Sequence, residues 1–353
     1  MARVTGPGPT RVFVTGGAGF IGGEVVRRLL DDGAAVTVFD DLSTAEPDWA
    51  DGLQGHDGFT FVEGDVADEP AVSAAMAGHD LVVHLAASTD IAGGVGRPEG
   101  DFRACVVGTQ AVCSAMHRNR ITRLWFASSG VVYGHRSGIP SAEGDGPFLP
   151  ASHYAAGKLA GEAVASGFAH LYGWRAFAFR FGNTVGARSN HGVVHDFVVK
   201  LLRDPHRLEI LGDGEQRKPY VAATDLVAGM RRAAACAPGR PMTILNVGTV
   251  GTVSVRRVAE LVIEVLGLKP GSVELAFTGV AAGGGGWAGD TPYVEFDPAA
   301  LVGLGWQPRL TAEDAIREAA RGVAARYRTG RLALVTAAER RSGRGSAMGL
   351  PAG

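Results

Sequence analysis

Tyr154 and Lys158 are the two residues of this sequence best suited to moving a proton, and they lie four positions apart. On a helix this spacing places both side chains on one face, one turn apart. A tyrosine with a pKa of about 10 is a poor base at neutral pH and needs positive charge nearby, which Lys158 can supply. The string Tyr-x-x-x-Lys is common, so its meaning depends on the elements that position it.

Two hydroxyl groups precede this pair in the chain. Ser128 and Ser129 follow the apolar segment 124–127, which predicts a buried strand over 122–128. Such a strand delivers the hydroxyls to its carboxyl end, where parallel α/β folds bind their ligands. A Ser-Ser turn can also satisfy only its own backbone. Together with the tyrosine and the lysine, the hydroxyls favour a proton-transfer site.

A glycine-rich turn lies near the start of the chain. Gly16, Gly19 and Gly22 separate a predicted strand over 11–15 from a predicted helix over 21–30. The first glycine permits a tight turn, the second lets the backbone approach a pyrophosphate, and the third lets the helix pack closely on the strand. The helix N-terminus then faces the anion. The pattern predicts a dinucleotide-binding turn; the alternative is a βαβ unit without a ligand.

The second predicted strand, 35–39, ends at Asp40, about 20 residues beyond the turn, where an acidic side chain holds the ribose hydroxyls of adenosine. Asp40 would also repel a 2′-phosphate, so the sequence predicts NAD rather than NADP. An oxidised nicotinamide would bring a second positive charge to Tyr154. Lowering the pKa of Tyr154 by about three units requires roughly 4 kcal/mol of phenolate stabilisation, which two cations in a water-poor site can provide.

Strand and helix patterns alternate and predict an α/β fold, a Rossmann-type doubly wound parallel sheet with a smaller C-terminal substrate-binding lobe. The NAD-binding domain is predicted over 10–183 with returning segments near 220–248, the substrate lobe over 184–219 and 249–330, and a disordered tail over 340–353. Strands are predicted at 11–15, 35–39, 59–63, 81–85, 122–128, 175–180 and 244–247, and helices at 223–236, 254–266 and 311–328.

Composition bounds the class of protein. Of the 353 residues, 46% are hydrophobic and 20% charged, and the net charge of −2 gives no electrostatic case for nucleic acid or an anionic membrane surface. No apolar run is long enough to span a membrane, and residues 1–10 do not resemble a signal peptide. Cys105, Cys113 and Cys236 form neither a metal-ligand spacing nor an even disulfide set, so reduced thiols and a cytoplasmic location are expected.

Histidines offer little support for a metal, and none is predicted. His191 and His195 have H-x-x-x-H spacing, but no Glu follows His191, no third ligand is evident, and Gly192 weakens a helix there. A loop lining the substrate cleft is favoured instead. His84 ends a predicted core strand and is interpreted as a buried histidine with satisfied hydrogen bonds.

These motifs together resemble the extended short-chain dehydrogenase/reductases, the NAD-dependent epimerase/dehydratase family, and within them nucleotide-sugar epimerases of the UDP-glucose 4-epimerase type. The resemblance runs from about Arg11 to Tyr327 and includes the segments 40–43, 128–134, 180–186 and 303–308. It implies that Tyr154 is the acid and base, that Lys158 binds the nicotinamide ribose, and that Ser129 shares the substrate's hydroxyl proton. The substrate implied is a nucleotide-diphosphate sugar.

The resemblance also assigns the binding residues by position. The NAD-binding set is Gly16, Gly19, Phe20, Ile21, Gly22, Asp40, Asp41, Leu42, Ser43, Asp65, Val66, Leu85, Ala86, Ala87, Tyr154 and Lys158, with Asp65 and Val66 flanking adenine. The substrate-binding set is Ser128, Ser129, Asn183, Arg217, Lys218, Trp287 and Asp290, with Asn183 near the diphosphate. Helical stretches 100–118 and 153–172 correspond to surfaces that pair in relatives, so a homodimer is expected.

The positions after Ser129 favour one reaction of the family. Sugar 4,6-dehydratases carry an Asp-Glu pair there, and this chain has Gly130 and Val131. Reversible oxidation at sugar C4 needs only Tyr, Lys, Ser and NAD, which predicts a 4-epimerase. A dehydrogenase or reductase that releases its cofactor, and a non-catalytic NAD-binding regulator, are the alternatives.

Three departures from the family pattern bear on the substrate. Cys105 replaces a usual Asn, Lys218 takes the position of a phosphate-binding Arg beside Arg217, and Trp287 takes that of a second phosphate Arg. Trp offers stacking instead of a bidentate anion contact.

Overall fold

A parallel sheet forms the centre of the molecule, which is described from a computed structural model over residues 11–88, 95–136, 138–237, 239–269, 271–281, 285–330, 332, 334–336 and 339. The strands are β1 (Arg11–Thr15), β2 (Ala35–Asp40), β3 (Phe59–Glu63), β4 (Leu81–His84), β5 (Arg123–Ser129), β6 (Arg175–Phe181), β7 (Asn183–Val185), β8 (Arg207–Ile210), β9 (Arg217–Lys218), β10 (Tyr220–Ala222), β11 (Met242–Val247), β12 (Val253–Ser254) and β13 (Glu274–Phe277). The predicted tail over 340–353 and the first ten residues lie outside the described residues.

The helices are α1 (Phe20–Asp31), α2 (Glu69–Met76), α3 (Pro98–Phe102), α4 (Gly108–Arg118), α5 (His153–Tyr172), α6 (Val193–Arg203), α7 (Ala223–Cys236), α8 (Val255–Val265), α9 (Ala299–Gly303) and α10 (Ala312–Arg328). A π-helical turn, Arg103–Val107, joins α3 to α4, and a 3₁₀ turn, Gly130–Tyr133, follows β5. Helices 223–236, 254–266 and 311–328 are thus confirmed to within a residue, and the stretch 100–118 is helical with a π turn inside it. None of the described helices has the length and apolarity needed to cross a membrane.

The central sheet confirms the predicted Rossmann-type α/β fold. Its seven strands are all parallel, in the spatial order β11-β6-β5-β4-β1-β2-β3. The order reverses between β1 and β4, which creates the crevice where such sheets bind ligands. Continuous apolar runs form the inner strands because both faces are covered by helices: Val12, Phe13 and Val14 are fully buried.

The segment near 220–248 returns to this sheet only in part. Strand β11 pairs with β6, as predicted for 244–247, but β10 pairs with β7 outside the sheet. Between these strands, α7 packs against α1, β6 and β11, and its Leu226 and Met230 belong to the hydrophobic core beside the sheet. The bounds of the NAD-binding domain stay a prediction. Helices α6, α8 and α10 enclose a second hydrophobic core with β8 and β10, around Phe197, Val262 and Val323.

Helix α5 positions the catalytic pair and has clear start and stop signals. The Ser152 hydroxyl accepts a hydrogen bond from Ala155 N at 3.2 Å, and Gly173 ends the helix in the left-handed conformation, with φ of +66°. Its buried face contains small residues. A Cβ on Gly161 would lie 2.6 Å from the Phe126 ring, so glycine lets α5 lie close to the sheet.

Candidate active site

A cleft of about 710 Å³ opens at the carboxyl ends of β1, β4 and β5. It brings together most of the predicted cofactor residues: Gly16, Gly19, Phe20, Ile21, Gly22, Asp40, Asp41, Ser43, Asp65, Val66, Leu85, Ala86, Ala87, Tyr154 and Lys158. Of the predicted substrate residues, only Ser128 lines this cleft. Leu42, Ser129, Asn183, Arg217, Lys218, Trp287 and Asp290 lie outside its lining.

The glycine turn at the end of β1 leaves no room for side chains on the protein side. A Cβ on Gly22 would lie 2.0 Å from Gly16 O, and one on Gly16, whose φ is +71°, would lie 2.6 Å from Ala86 N. On Gly19 it would meet only Gly16 O, at 3.4 Å. The free side of Gly19 therefore faces the cleft, as a backbone that approaches a pyrophosphate requires. The residues present fit a dinucleotide.

Asp40 closes the turn from the next strand. Its carboxylate accepts hydrogen bonds from Ala18 N at 3.0 Å and from Leu42 N at 2.9 Å. Burial raises the pKa of Asp40, and these two bonds oppose the rise. Leu42, predicted to bind NAD, has a φ of +59° and contributes its backbone here. Each carboxylate oxygen retains acceptor capacity for a ribose hydroxyl.

His84, the last residue of β4, is buried and has a hydrogen-bond partner on each side of its ring. Its Nδ1 lies 2.7 Å from Thr15 Oγ1, and its Nε2 lies 3.0 Å from Thr109 Oγ1. Thr109 donates to Cys105 O, and Thr15 accepts from Ala86 N, so a neutral ring with its proton on Nε2 satisfies every group. Burial, with the Lys158 charge, lowers the pKa of His84 to about 3. The interpretation as a satisfied buried histidine is confirmed.

The Tyr154 phenol is held at the edge of the cleft by Ser129. Burial raises the pKa of Tyr154 above its ordinary value, Cys105 and Asp101 add to the rise, and a hydrogen bond with Ser129 lowers it. The protein's own groups therefore do not produce the low pKa expected from the sequence. That expectation also counted the positive charge of an oxidised nicotinamide, which remains the group that would have to supply it.

Lys158 lies one turn further along α5, as the spacing predicts. Its ammonium donates to Ala127 O at 2.7 Å and lies 5.8 Å from the centre of the Tyr154 ring. Burial lowers the pKa of Lys158, while Cys105 and Glu162 raise it. The carbonyl at the end of β5 thus fixes the ammonium beside the phenol.

A buried ion pair behind the site is absent from the sequence-based predictions. Arg180 on β6 donates to Glu162 on α5 from Nε at 2.9 Å and from Nη2 at 2.7 Å. The Ser128 hydroxyl also donates to Glu162, so Ser128 is committed to this pair rather than presented to a substrate. The signal was available, because Glu162 lies one helical turn beyond Lys158 on the same face.

The predicted phosphate-binding position is occupied by an internal ion pair. Lys218 Nζ lies 3.1 Å from Asp290 Oδ1 and also donates to Thr291 O, with both side chains of the pair almost fully buried. The expectation that Lys218 presents its charge to a phosphate is corrected, because Asp290, itself predicted to bind substrate, neutralises it. The exposed neighbour Arg217 donates to Thr252 Oγ1 at 3.1 Å.

Two other predicted substrate residues take different positions. Asn183 is exposed and begins β7, where it pairs with Tyr220. Trp287 is half-buried, and its indole Nε1 has no hydrogen-bond partner among the described residues. Trp287 therefore offers an indole ring and an unpaired N–H donor at the position where the family pattern has a phosphate-binding arginine.

The two histidines of the H-x-x-x-H string separate. His191 lines the cleft, as favoured from the sequence, whereas His195 on α6 is fully buried. His195 Nε2 lies 2.8 Å from the Tyr327 hydroxyl and Nδ1 lies 3.0 Å from Asp196 Oδ1. Within the described ranges, no group of three His, Cys, Asp or Glu side chains is arranged to hold a metal ion.

The glycine turn, Asp40 and the Tyr-Lys pair lie at one edge of the sheet, in the arrangement of a Rossmann-fold protein with a cleft that fits a dinucleotide. The sequence profile of the NAD dependent epimerase/dehydratase family matches residues 12–248, and the chain belongs to that family, with NAD as its cofactor. This confirms the resemblance to extended short-chain dehydrogenase/reductases of the epimerase type.

Known relatives include more than one activity. The chain is 33% identical over 270 residues to the dTDP-glucose 4,6-dehydratase of Streptomyces griseus, covering 75% of this chain and 81% of the relative. It is 36% identical over 245 residues to the UDP-glucose 4-epimerase of Mycolicibacterium smegmatis, covering 68% and 77%. A crystal structure of UDP-galactose 4-epimerase superposes with a TM-score of 0.79 at 34% identity, covering 90% of this chain and 99% of that one. The protein is thus similar to nucleotide-sugar epimerases and dehydratases alike.

Proposed function

We propose that this protein is an NAD-dependent nucleotide-sugar 4-epimerase. The observation that carries the proposal is the 3₁₀ turn after Ser129. A side chain on Gly130 would lie 2.2 Å from the buried Phe296 ring, and the next residue is the apolar Val131. The family's dehydratases have their acid and base at these two positions. Without ionisable groups there, these two positions supply neither the acid nor the base for the elimination of water.

The reaction that Tyr154, Ser129 and Lys158 can support together with NAD is the reversible oxidation of one sugar carbon. NAD, when bound in the cleft, would supply the acceptor for the C4 hydride and the source of its return. Tyr154 takes the C4 hydroxyl proton as the ketone forms and gives it back when the hydride returns, and Ser129 shares that proton through its hydrogen bond with Tyr154. Lys158, fixed by Ala127 O, holds positive charge beside the phenol. Return of the hydride to the opposite face of the sugar gives the epimer, so no cofactor is consumed.

Incubation of the purified holoenzyme with a panel of nucleotide sugars tests this proposal. NMR should show a C4 epimer forming from at least one of them, at unchanged mass and without net NADH. Accumulation of a product lighter by about 18 Da, the mass of one water, would instead assign the 4,6-dehydratase activity of the Streptomyces relative. Stoichiometric NADH would assign a dehydrogenase.

We also propose that the protein is a cytoplasmic homodimer that pairs through the helical stretches 100–118 and 153–172. Exposed apolar side chains support this surface: Phe102 is 59% exposed, and Leu171 at the end of α5 is 78% exposed. Light scattering after size-exclusion chromatography should give twice the 36.5 kDa of the chain. Phe102→Glu should yield monomers, and a monomeric wild-type protein would exclude the dimer.

A further inference from the structure

Asp101 is a buried carboxylate that the reaction described above does not use. It lies on α3, lines the cofactor cleft and is only 2% exposed. Its Oδ2 atom has no hydrogen-bond partner among the described residues. A buried carboxylate oxygen without a partner is costly, because it has lost water and gained nothing in exchange. Its presence in the cleft points to a partner supplied by a ligand.

The position of Asp101 identifies which part of a ligand it meets. Helix α3 packs against α5, and Asp101 O lies 3.5 Å from the point where a Cβ on Gly157 would lie, between Tyr154 and Lys158 in the chain. The charge of Asp101 acts on the phenol of Tyr154 and on the thiol of Cys105. A group that acts as base must lie within hydrogen-bond reach of the reacting hydroxyl. The sugar, whose reacting hydroxyl must reach Tyr154, therefore lies within the field of Asp101.

We propose that Asp101 determines which sugar the site accepts: its unpaired carboxylate oxygen accepts a hydrogen bond from a sugar hydroxyl, and its charge excludes sugars that carry a carboxylate. The inference rests on the proposed nucleotide-sugar function and narrows it to a neutral sugar. Lys158 donates to Ala127 O and is not the hydrogen-bond partner of the unpaired Asp101 oxygen.

Asp101→Asn tests the charge while it keeps an acceptor oxygen in place. Affinities are measured by calorimetry for two esters of one nucleoside diphosphate, with glucose and with glucuronate. The protein carries NAD and the Tyr154→Phe substitution, so that turnover during the titration is slowed by about 10²–10⁴-fold. The unaltered Asp101 site should prefer the glucose ester. Asp101→Asn should keep the affinity for the glucose ester within about threefold and reduce the preference about tenfold or more, because a like-charge repulsion is removed.

Glu99→Gln is the matched control, because it removes a negative charge from an exposed position of the same helix. It should leave the preference unchanged. If Asp101→Asn does not fold, Asp101→Ser provides a shorter acceptor for the same comparison. An unchanged preference in a folded Asp101 variant overturns the inference and leaves the proposed function standing. If neither ester binds with any nucleoside diphosphate of the panel, and no nucleotide sugar is converted, the nucleotide-sugar function fails, and the inference falls with it.

Discussion

The predicted NAD-binding domain (10–183) and the predicted substrate lobe (184–219 and 249–330), called here the cofactor half and the substrate half, are built by different kinds of contact. In the cofactor half, a side-chain carboxylate holds the backbone of a neighbouring turn: Asp40 accepts a hydrogen bond from Ala18 N, 22 positions away. In the substrate half, the central contact is between side chains, and Lys218 and Asp290 are 72 positions apart. The first half presents backbone and a buried ammonium to its ligand. In the substrate half, Asp290 neutralises the buried ammonium of Lys218.

This difference indicates that the choice of cofactor is fixed by the local backbone, whereas the choice of substrate can vary with single side chains. A turn made of glycine backbone can hold a pyrophosphate with few side chains, so cofactor choice depends on a short stretch of chain. Substrate choice depends on pairs brought together by the fold, where one exchange, such as a tryptophan for an arginine, changes the chemistry. We therefore expect NAD binding to tolerate changes in the substrate half.

The largest effect is expected at Tyr154, where the two halves meet. Tyr154→Phe removes the proton acceptor and keeps the ring, so turnover should fall by about 10²–10⁴-fold. NAD affinity and the thermal midpoint should stay near the wild-type values. Steady-state kinetics on the identified substrate, with calorimetry for NAD, measure both. Near wild-type turnover in the variant would remove Tyr154 from the mechanism.

Gly22→Ala probes the cofactor half directly. The new Cβ would lie 2.0 Å from Gly16 O, so the turn must move, at a cost of about 1–3 kcal/mol. NAD affinity should fall at least tenfold, as measured by calorimetry. Gly23→Ala is the control on the same helix, because its Cβ meets only the movable end of Arg27. Equal losses in the two variants would show that the turn is not what holds the cofactor.

His84 should make the cofactor half sensitive to acid. The pKa of His84 is about 3 in the folded protein and about 6.5 in the unfolded chain. Between these two pH values, His84 is therefore protonated in the unfolded chain and neutral in the folded protein. This contribution to stability is present above pH 6.5 and is lost as the pH falls toward 3. It should lower the free energy of unfolding by about 2 kcal/mol between pH 7 and pH 5. Urea unfolding of the wild type and His84→Gln should differ in pH dependence by that amount; parallel curves would contradict it.

The smallest effect is expected in the substrate half. It distinguishes the role of Arg217 from that of its neighbour Lys218. Arg217 is exposed, so Arg217→Ala should raise the KM for the nucleotide sugar about tenfold, the loss of one charge-assisted contact. Lys218→Met should leave KM near the wild-type value and lower the thermal midpoint, because it leaves Asp290 buried and unpaired. If the two variants exchange these results, Lys218 is the phosphate ligand after all.

The sequence predicted those parts of the site whose residues lie within a single helix or a single turn. Gly16, Gly22 and the Tyr154–Lys158 pair are fixed by spacing, because their chemistry dictates both residue type and separation along a single element. The sheet followed from apolar runs with helices between them. The Lys218–Asp290 pair could not be predicted, because nothing local distinguishes an internal pair from a ligand-binding lysine. The contact of Phe296 with Gly130 is equally invisible until the loop that carries Phe296 is folded onto β5.

Isotope tracing tests the central claim most directly. The nucleotide sugar that the protein converts is prepared with deuterium at C4 and incubated with the holoenzyme in ordinary water. If hydride leaves C4 and returns to C4 on the opposite face, the epimer should retain the deuterium at C4 at unchanged mass. Deuterium at C6 together with loss of water, or deuterium accumulating in reduced NAD, would contradict the epimerase account.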